Sequence, residues 1–120
     1  PIQVLSIEVG VRRPLGVGVS GVALLANLDP ALSRVLVEDN AARLGVLGEH
    51  VDDILARVEQ ARVRGLAHAP AGLMPGTSAV ALPILTATGE ALGAVTVTAM
   101  AERLAPQRFG MVTSRMRDTA

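Results

Sequence analysis

Gly16, Gly18 and Gly21 spell G-x-G-x-x-G, the spacing with which a glycine loop lays a pyrophosphate on a helix N-terminus. An acid pair, Glu38 and Asp39, stands near the place of a ribose-binding carboxylate, after a stretch at 34–37 with some strand character. The surroundings work against that chemistry. A dinucleotide site needs a strand running straight into its first glycine, and here Gly10, Arg12, Arg13 and Pro14 intervene. Asp29-Pro30 is also a helix start, with the acid as N-cap and proline at the first helical position, so 34–37 should be helical. A nucleotide-binding enzyme fragment using Gly16 to Gly21 stays as the lesser alternative. It requires a parallel sheet, and an antiparallel or mixed one removes it.

Gly18-Val19-Ser20-Gly21 begins like the nucleophile elbow G-x-S-x-G, but position 22 is Val22. A nucleophilic serine also needs a base and an orienting acid. The only histidines are His50 and His68. Asp52 and Asp53 lie close to His50, but acids in the first turn of a helix are what the helix dipole prefers. Both histidines read as surface or loop residues, and two of them without clustered acids do not make a metal site. No catalytic constellation, metal site or cofactor is expected, and the chain reads as not an enzyme.

A quieter pattern lies at 78–85 and 91–99, two apolar stretches joined by Thr-Ala-Thr-Gly-Glu. They read as an antiparallel hairpin. Alternation puts Ala79, Ala81 and Pro83 on one face of the first strand and Val80, Leu82 and Ile84 on the other. In the second strand Ala94, Thr96 and Thr98 share a face opposite Val95 and Val97. One side of the hairpin is therefore bulky, the other small and hydroxyl-bearing. The small face is either a half-buried sheet surface with threonines toward water or the floor of a cavity whose hydroxyls meet a ligand. No charged residue occurs from Ser78 through Thr88, which keeps both readings open.

The elements that position these residues follow from the rest of the chain. Residues 2–9 read as a strand, broken at 10–14. The segment 16–27 is ambiguous, its valines favouring a strand and its Ala-Leu-Leu-Ala a helix. A helix is expected from Pro30 to about Leu44. The clearest helix is 51–64, where Val51, Ile54, Leu55, Val58 and Ala61 share a face and Gly65 is the stop. A Gly/Pro-rich loop at 69–76 precedes the hairpin, and Pro106 opens a last helix to about Asp118. The order predicts one α+β domain with an antiparallel sheet.

Composition narrows the classes further. The chain has 120 residues, 50% hydrophobic, with one aromatic residue, Phe109, and no cysteine. Base stacking on rings is excluded for want of rings, and disulfides and thiolate metal sites for want of cysteine. Eleven basic residues balance eleven acidic ones, so no phosphate-neutralising surface is expected. Arg57, Arg62 and Arg64, interrupted by Glu59, read as a solvated helix face. No apolar run is long enough to span a bilayer. A cytoplasmic location and no membrane partner are expected.

Four stretches, in order along nearly the whole chain, carry a family resemblance. They are Arg13-Pro14-Leu15 with Gly21-Val22-Ala23-Leu24-Leu25-Ala26; Ala61-Arg62-Val63-Arg64-Gly65-Leu66-Ala67; Gly76-Thr77-Ser78-Ala79-Val80-Ala81-Leu82-Pro83-Ile84; and Glu90 through Thr98 followed by Arg103-Leu104. Together they resemble the C-terminal effector-binding domain of IclR-family transcription regulators. The resemblance implies a GAF-like α+β fold, an antiparallel sheet flanked by helices, spanning 1–120. It implies a domain truncated at its N-terminal side, with the winged helix-turn-helix that contacts DNA absent. Its function would be to sense a small metabolite, commonly a carboxylic acid, and to modulate DNA binding by that missing module. Its partners would be the effector and further copies of itself, as dimer or tetramer. Carried over by position, the ligand-binding residues are Val19, Ser20, Ala79, Thr96 and Thr98, and Met74 of the loop before the hairpin is expected to join them. The sequence departs from the family at Val22 in place of lysine, Leu66 in place of tyrosine and Ala79 in place of cysteine. The loop at 71–74, often acidic in the family, is Ala-Gly-Leu-Met here, which points to a more apolar acid. The rival from another class is a structural oligomerisation domain whose small-residue face packs on a partner chain.

Overall fold

The computed structural model describes residues 14–70 and 76–119. The strand expected at 2–9 and Met74 lie outside the described residues.

The ambiguous segment is a helix, α1 (Val19–Ala26), entered from Gly18 in extended conformation. Its sequence reads poorly as an amphipathic helix because it is buried on more than one side, packing on a second helix and on all three strands of the sheet. Val22, Ala23, Leu25 and Ala26 are all buried. Asp29 caps the next helix, α2 (Pro30–Asp39), by accepting from the Ala31 amide at 2.9 Å. Ser33 is buried and donates to the Leu25 carbonyl at 2.6 Å, which ties α2 back to the end of α1.

The single helix expected to Leu44 is two. Asn40 interrupts it at φ −99°, ψ 10°, its side-chain amide donating to the Leu36 carbonyl, and α3 (Ala41–Val46) follows. A short polar side chain that bonds its own backbone competes with the helix ladder, and here it sets the break.

Helix α4 (Val51–Arg64) matches its reading. Ile54, Val58 and Ala61 form the buried stripe, Asp52 and Asp53 occupy the first turn, and Gly65 ends it at φ +76° with its amide on the Ala61 carbonyl. Three residues then form β1 (Ala67–Ala69), too short for a sequence pattern to mark. The hairpin strands are β2 (Thr77–Leu85) and β3 (Ala91–Met100), closed by Thr86 N–H on Glu90 O at 2.8 Å with Gly89 at φ +88°. The three described strands are antiparallel in the order β1-β2-β3. A 3-10 turn (Ala101–Leu104), not expected from the sequence, buries Leu104 before α5 (Pro106–Thr119).

Two cores divide the molecule at the sheet. Leu25, Val37, Leu44, Ile54, Val58, Ala67 and Ala81 form the larger, between α1, α2, α4 and the small-residue face. Leu66, Val80, Leu82, Leu104 and Met116 form the other, under α5. Each fully buried branched side chain contributes about 1.5–3 kcal/mol of transfer free energy. The registers Ala79↔Thr98, Ala81↔Thr96 and Pro83↔Ala94 put the small residues on one face, as alternation required.

Candidate functional site

The glycine run is explained by packing. Gly16 has φ +105°, and a Cβ there would meet Ile54 Cγ2 at 2.6 Å. A Cβ on Gly21 would lie 2.7 Å from the Gly16 nitrogen and 3.3 Å from Leu15 Cα. These two glycines let the turn at 14–17 fold against α1, and Gly18 supplies the extended entry to the helix. The strand that a dinucleotide site requires does not precede them among the described residues, and the described sheet has no parallel pair. Glu38 is on helix α2, ion-paired with Arg34 at 3.3 Å, and Asp39 ends that helix.

The same turn delivers Ser20 to the sheet. Its Oγ lies 2.6 Å from Thr96 Oγ1, a hydrogen bond in which either hydroxyl can donate. Both residues are exposed. Val19, one residue earlier, is partly buried against the larger core. Ala79 is buried and stands opposite Thr98, itself exposed, while Ala81 is fully buried opposite Thr96. Five of the six residues expected at the site are thus described, Val19 and Ser20 in the first turn of α1 and Ala79, Thr96 and Thr98 on the small face of β2 and β3, and the Ser20–Thr96 contact joins the two groups. The sixth is Met74.

Chemically the corner offers hydroxyls and a helix start. A helix leaves its first amides without intrahelical partners and carries partial positive charge there. Gly18 brings no side chain to occupy those amides. The Ser20–Thr96 pair holds two protons and uses one internally, so one hydroxyl always has a proton to donate outward. The combination suits an acceptor group such as a carboxylate.

It does not suit nucleophilic catalysis. Ser20 is bonded to a threonine, and His50 is an exposed residue at the entrance to α4. The one Ser–His contact among the described residues is elsewhere, between Ser78 Oγ and His68 Nε2 at 3.3 Å. Ser78 is buried and its hydroxyl also lies 3.3 Å from the Ala69 carbonyl, which competes with the histidine for its one proton, and no carboxylate among the described residues orients the ring. His68 also lies against Phe109, ring centroids 4.6 Å apart, with Arg64 5.6 Å over the same ring. Burial, and then the Arg64 charge, push the His68 pKa below its usual 6.5. Sequence spacing gave no sign of this cluster, because its members come from α4, β1, β2 and α5.

The arginines of α4 are engaged. Arg57 pairs with Glu49 at 3.1 Å, Arg62 with Glu59 at 2.5 Å, and Arg64 covers Phe109. No described helix is long and apolar enough to cross a membrane.

Comparison with known proteins places these features. The model of the bacterial transcriptional regulator IclR C-terminal family matches residues 3–120. No curated protein sequence matches the chain. Among solved structures, the transcriptional regulator YaiJ superposes with a TM-score of 0.78 at 17% identity, covering 96% of this chain and 66% of that one. The Agobacterium tumefaciens repressor BlcR gives 0.75 at 16% identity, over 95% of this chain and 47% of that one. The inducer-binding domain of the PobR transcription factor from Acinetobacter, a double mutant in complex with 3-hydroxybenzoic acid, gives 0.74 at 20% identity, over 98% and 71%. The chain spans about half the length of several of the solved regulators it matches.

Proposed function

Since the chain belongs to the IclR C-terminal family of bacterial transcriptional regulators, we propose that it senses a small carboxylic acid at the corner between α1 and β3 and modulates DNA binding by a module outside this sequence. The observation that carries this reading is the Ser20–Thr96 contact, which brings two hydroxyls and the start of α1 to one point. The carboxylate is held by the amides of Gly18 to Gly21 and by the Thr96 and Thr98 hydroxyls. Val19 and Ala79 supply the apolar surface beside it. The PobR inducer-binding domain, seen with 3-hydroxybenzoic acid, supports an aromatic acid as one candidate.

On this reading the chain performs no reaction, holds no metal or cofactor, and acts in the cytoplasm as a dimer or tetramer. The rival oligomerisation reading assigned the small-residue face to a partner chain. Helix α1 of the same chain packs across that face, which favours the sensor.

The test is a thermal-shift panel of aliphatic and aromatic carboxylic acids against the chain and its Thr96→Val/Thr98→Val variant. At least one acid raises the melting temperature of the wild type and has much less effect on the variant. If no acid stabilises the protein, or the variant responds equally, the site is wrongly assigned.

A further inference from the structure

Equal totals of acid and base conceal an uneven distribution. Residues 14–63 carry seven acids and four arginines, whereas α5 and the 3-10 turn before it carry four arginines and two acids. Helix α4 belongs to the larger core and α5 to the other, so these two populations lie on opposite faces of the sheet. Their engagement differs as well. Arg34, Arg57 and Arg62 are ion-paired on their own side, and Arg43 is bonded to Asn40. Arg103, Arg108, Arg115 and Arg117 are exposed and make no ion pair or hydrogen bond among the described residues. On the acidic side Asp39, Asp52 and Asp53 are exposed and equally free there. The dipole of α4 favours Asp52 and Asp53 in its first turn, but their carboxylates remain open to a partner.

Each set of free charges borders apolar side chains that the fold leaves uncovered. On α5, Arg108, Met111 and Arg115 follow at i, i+3 and i+7, so they share a stripe away from the buried Thr113 and Met116. Met111 is 54% exposed at the centre of that stripe. At the corner where α3 leads into α4, Val46 is 87% and Leu47 50% exposed, with Asp39 before them and Asp52 and Asp53 after. Nothing lies within 4 Å of a Cβ placed on Gly45 or Gly48, which leaves the corner open. A methionine between arginines and a Val-Leu pair between aspartates are complementary in two respects. Apolar surface meets apolar surface at the centre, and opposite charges meet at the rim. A polyanion such as DNA would match the arginines but leave Met111 and the corner unmatched.

We propose that the α5 stripe of one copy docks on the α3–α4 corner of another, Met111 against Val46 and Leu47, with Arg108 and Arg115 facing Asp52 and Asp53. The contact rests on the oligomeric reading above and assigns it a surface. Because the two patches lie on opposite faces of the sheet, they do not meet reciprocally in one two-fold pair. The contact is head to tail and ends only by closing into a ring, so a tetramer fits and an isolated dimer does not. Neither patch includes a residue of the proposed acid site.

The experiment is sedimentation velocity of the 120-residue chain over a concentration series, at low salt and at about 0.5 M salt, where exposed charges are screened. The wild type associates beyond a dimer at low salt and dissociates at high salt. Reversing the stripe in Arg108→Glu/Arg115→Glu, or the corner in Asp52→Arg/Asp53→Arg, raises the dissociation constant about tenfold or more. An equimolar mixture of the two variants, in which each reversed patch meets its complement, associates again. Val46→Ser/Leu47→Ser, which leaves the start of α4 intact, weakens association in the same way if the corner reversal does not fold. A chain that stays monomeric at every concentration overturns both the contact and the oligomeric reading. Association that is undiminished by the variants, or that mixing does not restore, overturns the contact alone.

Discussion

Ser20 Oγ and Thr96 Oγ1 meet at 2.6 Å, across a separation of 76 residues. The contact fastens the first turn of α1 to the strand β3. Although it lies at the surface, it fixes where the helix start stands relative to the threonines of β3.

Removing that fastening has a modest thermodynamic signature, because an exposed hydrogen bond exchanges with water. Ser20→Ala should destabilise the chain by about 0.5–1 kcal/mol in chemical denaturation. A double-mutant cycle with Thr96→Val should show coupling of about 0.5 kcal/mol or more. Additive effects would mean that the two hydroxyls do not meet in solution.

The glycines separate packing from nucleotide chemistry. Gly21→Ala forces a methyl against backbone atoms of Leu15 and Gly16 that cannot swing aside, and should cost about 1–3 kcal/mol. Gly45→Ala on α3, where nothing lies within 4 Å of the new Cβ, should instead stabilise by about 0.5–1 kcal/mol. NAD and ATP should leave the melting temperature unchanged. Protection by either would restore the nucleotide reading.

The larger core should be intolerant of truncation beneath α1. Ile54 is 0% exposed and its side chain faces Gly16. Ile54→Ala should lose about 2–5 kcal/mol, read as a lower denaturant midpoint with an unchanged slope. A loss below about 1 kcal/mol would show that α1 and α4 are loosely packed.

Stability should depend on pH through His68. Its folded pKa lies below the usual 6.5, so the unfolded chain binds that proton more readily. The neutral ring's contribution is present above 6.5 and is lost as pH falls from there through the folded pKa. Denaturation midpoints across that window should fall for the wild type and be flatter for His68→Phe. Equal slopes would contradict the shift.

Much of this architecture is written in local pattern. The stripe of α4, the Asp29-Pro30 start of α2, the Gly65 stop and the alternation of the hairpin each depend on residues near one another in sequence, and each is present as read. What was not legible depends on partners far away. Helix α1 could not be told from a strand because α4 and the sheet bury it on more than one side, erasing the periodicity that marks a helix. Asn40 broke a helix that its neighbours would have continued, through a bond to Leu36 that composition does not reveal. Strand β1 is too short to carry a pattern. At the site, alternation grouped the small residues and threonines, and the family resemblance suggested Val19 and Ser20 as their neighbours. That Ser20 would touch Thr96, and that His68 would lie between Ser78 and Phe109, required the fold.

The central claim is that a small acid sits where α1 meets β3. Backbone amide shifts of the isotope-labelled chain, titrated with the most stabilising acid from the carboxylate panel, test it most directly. The largest changes should fall on 18–21, Ala79, Thr96 and Thr98, and should be lost in Thr96→Val/Thr98→Val. Changes centred on α5 or on α2 and α3, with 18–21 and β3 unmoved, would contradict it.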